Sequence, residues 1–205
     1  MQVGSGTDRY RTAAFGARAY VKSHLFFGAS NGLKFYKDAA HLGMFSPALA
    51  VGWLDVGLAS HVQLQVGVWL ESRREGRAAQ AAGHPYAKGT RRMKKALMEI
   101  FAKEALRFHC GNCGAQSALA FVRLRDYWKV FPLDWVQVKN GDHGFVVIGR
   151  DAHTDPSNMA TWNDDAIVCD PWRDVVLAVK AYAAAYAKTL ELIYRQESAS
   201  DVPKD

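Results

Sequence analysis

Apolar positions between residues 91 and 108 recur at spacings of three and four. Met93, Leu97, Ile100, Phe101, Glu104 and Leu106 nearly trace one stripe, which predicts an amphipathic helix from Arg91 to Phe108. A second helix is predicted over residues 113–128, burying Leu119, Phe121, Val122, Leu124 and Trp128. The period then changes. Asp134–Val138 and Gly144–Gly149 read as antiparallel strands turned at Lys139-Asn140-Gly141-Asp142. Asp151–Asp165 reads as a polar loop, Ala166–Cys169 as a short buried strand, and Asp174–Arg195 as a closing helix.

The pattern is weaker before residue 91. Residues 1 to about 20 mix Gly, Ser, Thr, Arg and Ala with little periodicity, which predicts an irregular arm. Val21–Lys37, around Ser30-Asn31-Gly32, fits either a hairpin or two short helical pieces. Between Asp38 and Leu70 small and apolar residues crowd together. There Val62, Leu64, Val66 and Val68 alternate with polar neighbours in a way that admits strand or helix. Glu71–Gln80 reads as a charged helix closed by Ala82-Gly83-His84-Pro85. Helices lead and strands follow, so the class expected is α+β. The length suits a single domain over residues 1–195, with a helical or irregular region 1–90, a core 91–195 and a flexible tail 196–205.

The chemistry falls where these elements meet. His109-Cys110-Gly111-Asn112 is a polar turn that delivers Cys113 to a helix start. There the unpaired backbone N–H groups and the positive end of the helix dipole favour thiolate over thiol. A lone buried cysteine is ordinarily a small hydrophobe, and a lone histidine beside a turn is ordinarily just solvated. The order is more telling: Cys113 at a helix start, His143 at a strand mouth and Asp170 at a strand end provide a nucleophile, a base and a group to orient the base.

Composition narrows the classes. Hydrophobic residues make up 49% of the chain, enough for a packed core. A net charge of +6 favours acidic partners: nucleic acid, an anionic membrane or an acidic protein surface. Much of the charge is local: Arg73, Arg74, Arg77, Lys88, Arg91, Arg92, Lys94 and Lys95 flank one predicted helix, as a solvated face would. No aromatic residues alternate with them, which argues against a nucleic-acid surface. Three cysteines are too few for a disulfide scaffold and point to a reducing compartment. No secretory leader pattern opens the chain, and the apolar stretch Leu42–Leu70 is too interrupted to span a membrane.

Cys110-Gly111-Asn112-Cys113 resembles the nucleophile segment of papain-like cysteine proteases, where the second cysteine of a similar run starts the central helix. The runs GNCG, DHGFVVIG and VCDPW are closer to bacterial effector and toxin domains on that fold, including deamidases of Gln or Asn in host signalling proteins. The resemblance covers about residues 105–175. It implies a papain-like α+β fold with a helix-start nucleophile packed on a small antiparallel sheet. It also implies a Cys113–His143–Asp170 triad, no cofactor, no metal, and a protein substrate in a target cell. The protein would be made in the bacterial cytoplasm and secreted or delivered without a Sec signal. The Cys113 backbone N–H would cradle the oxyanion, with Asn112 or Gln116 as side-chain donors, and Trp172 would shield the acid. Two departures are visible: Gly114 stands where the papain group has a tryptophan, and no glutamine lies a few residues before Cys113.

Other readings stay open at this point. A papain-like protease would use the same triad on peptide bonds. Cys110-x-x-Cys113 also fits a redox pair, and His109, Cys110, Cys113 and Cys169 have the residue types of a zinc site. A structural or adaptor protein, for example a nucleic-acid binder using the Lys/Arg cluster, needs no chemistry at all.

Overall fold

The computed structural model describes residues 6–26, 47–85, 89–186 and 188–201, with the backbone alone for 47–58. Residues 27–46, and with them most of the predicted hairpin segment, lie outside the described residues, as does Lys88.

The segment expected to be an irregular arm is a helix, α1 (Gly6–His24). Its inner face is Ala13, Ala14, Ala17 and Val21, all wholly buried, so the apolar stripe is built of alanine and carries little hydrophobic contrast. Small side chains let α1 approach the sheet closely, and Cys169 Sγ lies 3.5 Å from the Ala14 carbonyl. Gly16 is required by a different contact, with the helical turn that ends at Trp128, because a Cβ there would fall 2.2 Å from the Trp128 ring.

The ambiguous Val62–Val68 alternation belongs to a long helix, α2 (Pro47–Ala81). Leu64 and Val68 face inward one turn apart, while Val62 and Val66 face solvent. Next, α3 (Arg91–Phe108) is capped by Thr90, whose side chain accepts from the Met93 N–H at 3.3 Å, and ends where His109 turns left-handed at φ 53°. The second predicted helix is α4 (Cys113–Arg123), extended by one wide turn over Leu124–Trp128.

Five strands follow: β1 (Leu133–Val138), β2 (Gly144–Ile148), β3 (Ile167–Asp170), β4 (Val175–Ala178) and β5 (Leu190–Gln196). They form one sheet in the order β4-β3-β2-β1-β5, with every neighbouring pair antiparallel. The β1–β2 hairpin is the one expected, and Asn140 at φ 56° takes the left-handed position of its turn. The closing helix is not. Residues 174–195 divide into β4, a short helix α5 (Val179–Tyr186) and β5. Only the alanine-rich middle is helical; Val175-Val176 is β-branched and pairs with β3, and Leu190, Leu192 and Tyr194 follow a strand period.

The sheet lies between two cores, and period-two alternation assigns residues to each. Val146, Ile148, Ile167 and Cys169 pack with α1, α3 and α4. Phe145, Val147 and Val168 pack on the other side against Met159, Trp162, Val179 and Tyr182. The architecture is α+β, a five-stranded antiparallel sheet with helices on both faces. Among the described residues no helix is long and apolar enough to cross a membrane. The segment read as tail is fastened as far as Asp201, whose Oδ1 accepts from Arg91 Nη1 at 2.9 Å.

Candidate active site

The first turn of α4 is prepared locally. Asn112 is extended (φ −72°, ψ −177°), and its Oδ1 caps the helix by accepting from the Ala115 N–H at 3.1 Å. The Gln116 N–H reaches the Asn112 carbonyl at 2.9 Å. With those two bonds made, the N–H groups of Cys113 and Gly114 are the donors left without an acceptor inside the helix.

Small residues bring β2 onto this turn. A Cβ on Gly144 would meet Ser117 Oγ at 3.4 Å and the Gly114 Cα at 4.0 Å. Ser117 Oγ donates to the Gly114 carbonyl at 3.0 Å and accepts from Trp135 Nε1 at 2.8 Å, tying β1 to the same helix. His143, immediately before β2, is thereby carried to Cys113, and the Cys113 thiol donates to the carbonyl of Asp142.

Asp170 arrives from the neighbouring strand. Val146 pairs with Cys169, so the start of β2 and the end of β3 coincide, and His143 shares a sheet face with Asp170. His143 Nε2 lies 2.7 Å from Asp170 Oδ2. An ionised carboxylate only accepts, so Nε2 carries the proton and Nδ1 is the nitrogen left for the Cys113 side chain. Burial alone would lower the His143 pKa; hydrogen bonds to Asp170 and then Cys113 outweigh it and raise it from 6.5 to about 9. The imidazole stands between Trp172, with ring centroids 5.3 Å apart, and Phe145 at 5.9 Å.

Two residues absent from the sequence reading complete the surroundings of Asp170, itself fully buried. The Tyr182 hydroxyl donates to Oδ2 at 2.7 Å from α5, and the Arg173 N–H donates to Oδ1 at 3.1 Å. The Arg173 guanidinium leans on the Tyr186 ring at 4.0 Å, with Nε 3.4 Å from Oδ2. It also comes within 3.2 Å of His143 Nε2, which cannot accept while it donates to Asp170, so the guanidinium acts on the carboxylate. Tyr182 gave no sequence signal, since its helix was hidden inside a longer one; Arg173 sits in the tight turn after Trp172.

The other candidates are placed as follows. Asn112 Oδ1 is engaged in capping, which leaves only its amide nitrogen as a donor. Gln116 is buried, with Nε2 bonded to the Gly111 carbonyl at 2.8 Å and Oε1 without a partner among the described residues. Trp172 packs beside the His143 ring. Cys110 and Cys169 are both fully buried, and burial pushes their thiols up to about 11 and about 12. The four residues of the possible zinc set are not gathered: His109 Nδ1 is held by the His24 carbonyl at 3.0 Å, and the described residues contain no cluster of three or more ligand side chains.

The arrangement can activate a thiol, hold an imidazole in one orientation and offer two backbone donors to a developing oxyanion. No known family model matches the chain, and neither do curated proteins or solved structures.

Proposed function

We propose that the protein is a cysteine-dependent amide hydrolase working through Cys113, His143 and Asp170. The observation that carries this reading is the buried 2.7 Å bond between His143 and Asp170 beside a helix-start thiol. His143, whose pKa of about 9 keeps the imidazole protonated at neutral pH, already holds the Cys113 proton in an ion pair, and the sulfur attacks an amide carbonyl. The oxyanion is held by the N–H groups of Cys113 and Gly114, with the dipole of α4 behind them. The imidazolium then gives its proton to the leaving nitrogen. Water, deprotonated by His143, cleaves the thioester, returning the thiol and leaving a carboxylic acid. The net reaction consumes one amide and one water.

The amide we favour is the side chain of a protein glutamine or asparagine, which leaves as ammonia, acted on by a bacterial effector or toxin in a target cell. Support comes from the resemblance of GNCG, DHGFVVIG and VCDPW to such domains, and from Gly114 in place of a tryptophan. A net charge of +6 suits an acidic protein surface, since charge complementarity raises encounter rate and selectivity.

The test is to incubate the protein and its Cys113→Ala variant with target-cell lysate and analyse the products by peptide mass spectrometry. A gain of about one dalton at a defined Gln or Asn, lost in the variant, is the expected result, because removing a nucleophile removes the covalent step. Cys113-dependent new chain termini would instead make the protein a protease. Equal products from both proteins would remove cysteine catalysis.

A further inference from the structure

Helix α2 is apolar on two opposite sides. Its inner side holds Leu64 and Val68, and at Gly67 it comes close enough to α3 that a Cβ would meet Glu104 and Phe108. Its outer side carries Val62, Val66, Trp69 and Leu70, each about half exposed, at spacings of four, three and one. At 3.6 residues per turn these positions form one stripe, opposite Leu64 and Val68. They are four of the seven large exposed hydrophobic side chains among the described residues, so the outward apolar surface is concentrated here. A helix resting on a domain by one face has no use for a second apolar face in water.

The stripe continues as a different chemistry. Arg73, four residues after Trp69, lays its guanidinium 4.3 Å over the indole, and Arg77 follows one turn later on the same side. Arg74, beside them, is 81% exposed and reaches Glu71 only at 3.9 Å. Among the described residues neither Arg73 nor Arg77 sits in an ion pair. The face is therefore apolar along its middle and cationic at its C-terminal end only.

We infer that the outer face of α2 docks an amphipathic helix of a partner protein, running antiparallel to α2, with acidic residues in its first turns. The apolar stripe matches the i, i+3, i+4, i+7 anchors by which a helix recognises an apolar track. The one-ended charge sets the direction. Antiparallel docking brings the partner's N-terminus to Arg73, Arg74 and Arg77, and a helix N-terminus is where Asp and Glu are favourable in their own right. An anionic membrane is a poorer match, because an interfacial helix carries its cations along the polar face and not at one end of the apolar stripe. The inference does not depend on the proposed chemistry at Cys113.

The probe is a fluorescent stapled peptide with leucines at heptad spacing and glutamates in its first two turns. Its counterpart carries lysines at those positions, and anisotropy is measured with the full chain. The wild type should bind the acidic peptide and not the basic one. Val66→Ser/Trp69→Ser should weaken binding by roughly tenfold or more, a loss of about 1.4 kcal/mol or greater. Arg73→Glu/Arg77→Glu should reverse the preference, a result that a misfolded variant cannot give, and the Cys113 alkylation rate in both variants reports that the domain is intact. Equal binding of the two peptides, or none, overturns the inference. So does binding of phosphatidylserine vesicles without peptide binding, or a dimer in light scattering that Trp69→Ser dissolves.

Discussion

Two buried carboxylates divide this molecule. Asp134, on β1, is 1% exposed and is enclosed by guanidinium groups: Arg150 Nε binds one oxygen, and Arg195 Nη1 reaches both at 2.9 and 3.0 Å. Arg150 is itself 2% exposed and is completed by the carbonyls of Asp151 and Thr154. The partners of Asp134 are guanidinium groups, so the cluster ties β1 to β5 and to the loop after β2, although burial raises the Asp134 carboxyl above its ordinary pKa. Asp170, equally buried, is held by an imidazole, a phenol and a backbone N–H, with a single guanidinium, that of Arg173, standing off at 3.4 Å. Its chief partner can gain and lose a proton and faces a thiol on its other side. Burial of an acid does not mark a reactive site; the titratability of what it holds does.

The comparison predicts different losses, the largest at the structural cluster. Asp134→Ala leaves two guanidinium groups without their carboxylate and should cost about 3–5 kcal/mol of stability. Its iodoacetamide reaction at Cys113, measured per folded molecule, should match the wild type. A slowed thiol would mean that the two clusters are coupled through β1 and β2.

The second effect is a pH dependence that only the Asp170 cluster can give. The His143 imidazole titrates near 6.5 when free and about 9 in the fold. Its raised pKa therefore contributes stability that is complete below 6.5 and is lost as pH rises through about 9. The size is about 3 kcal/mol. Thermal unfolding should show Tm falling across that window in the wild type, with a shallower slope in His143→Gln. Parallel slopes would show that His143 is not the group responsible.

Asp170→Ala should lower the rate of amide hydrolysis roughly 100-fold, about 2.7 kcal/mol in the barrier, with a smaller stability loss than Asp134→Ala. A stability loss as large, with the rate preserved, would make Asp170 a second structural acid. The smallest effect is expected from Tyr182→Phe, which removes one donor for about 1 kcal/mol. Because the phenol shares Oδ2 with His143, its loss should raise the imidazole pKa further, as read by NMR. A fall would mean that Tyr182 orients the carboxylate more than it shares its charge.

The parts legible in the sequence are those where a strong period ends on a polar residue. Cys113 follows the clear stripe of α3 and a turn that can only stop and restart a helix, and His143 and Asp170 sit at ends of β-branched runs. Their juxtaposition needed the antiparallel register of β2 and β3, which no local pattern states. Helix α1 was hidden because alanine buries a face without raising its hydrophobicity, and Ala13, Ala14 and Ala17 are its contact surface. Asp174–Arg195 reads as one helix because Tyr182-Ala183-Ala184-Ala185-Tyr186 is strongly helical and its propensity spreads over two flanking strands. Tyr182 was lost with them, since its partner Asp170 is reached only once α5 folds back over the sheet.

The most direct test of the central claim is competition among the three thiols for a limiting amount of iodoacetamide at neutral pH, read by peptide mass spectrometry on the folded chain. Cys113 should be labelled first. Cys110 and Cys169 should stay unmodified while the fold holds, because both are 0% exposed against 5% for Cys113, and burial pushes their thiols up to about 11 and about 12. The Cys113 rate should drop in His143→Gln, where no imidazolium stands beside the sulfur. Labelling of Cys110 ahead of Cys113, or a Cys113 rate indifferent to His143, would contradict the account.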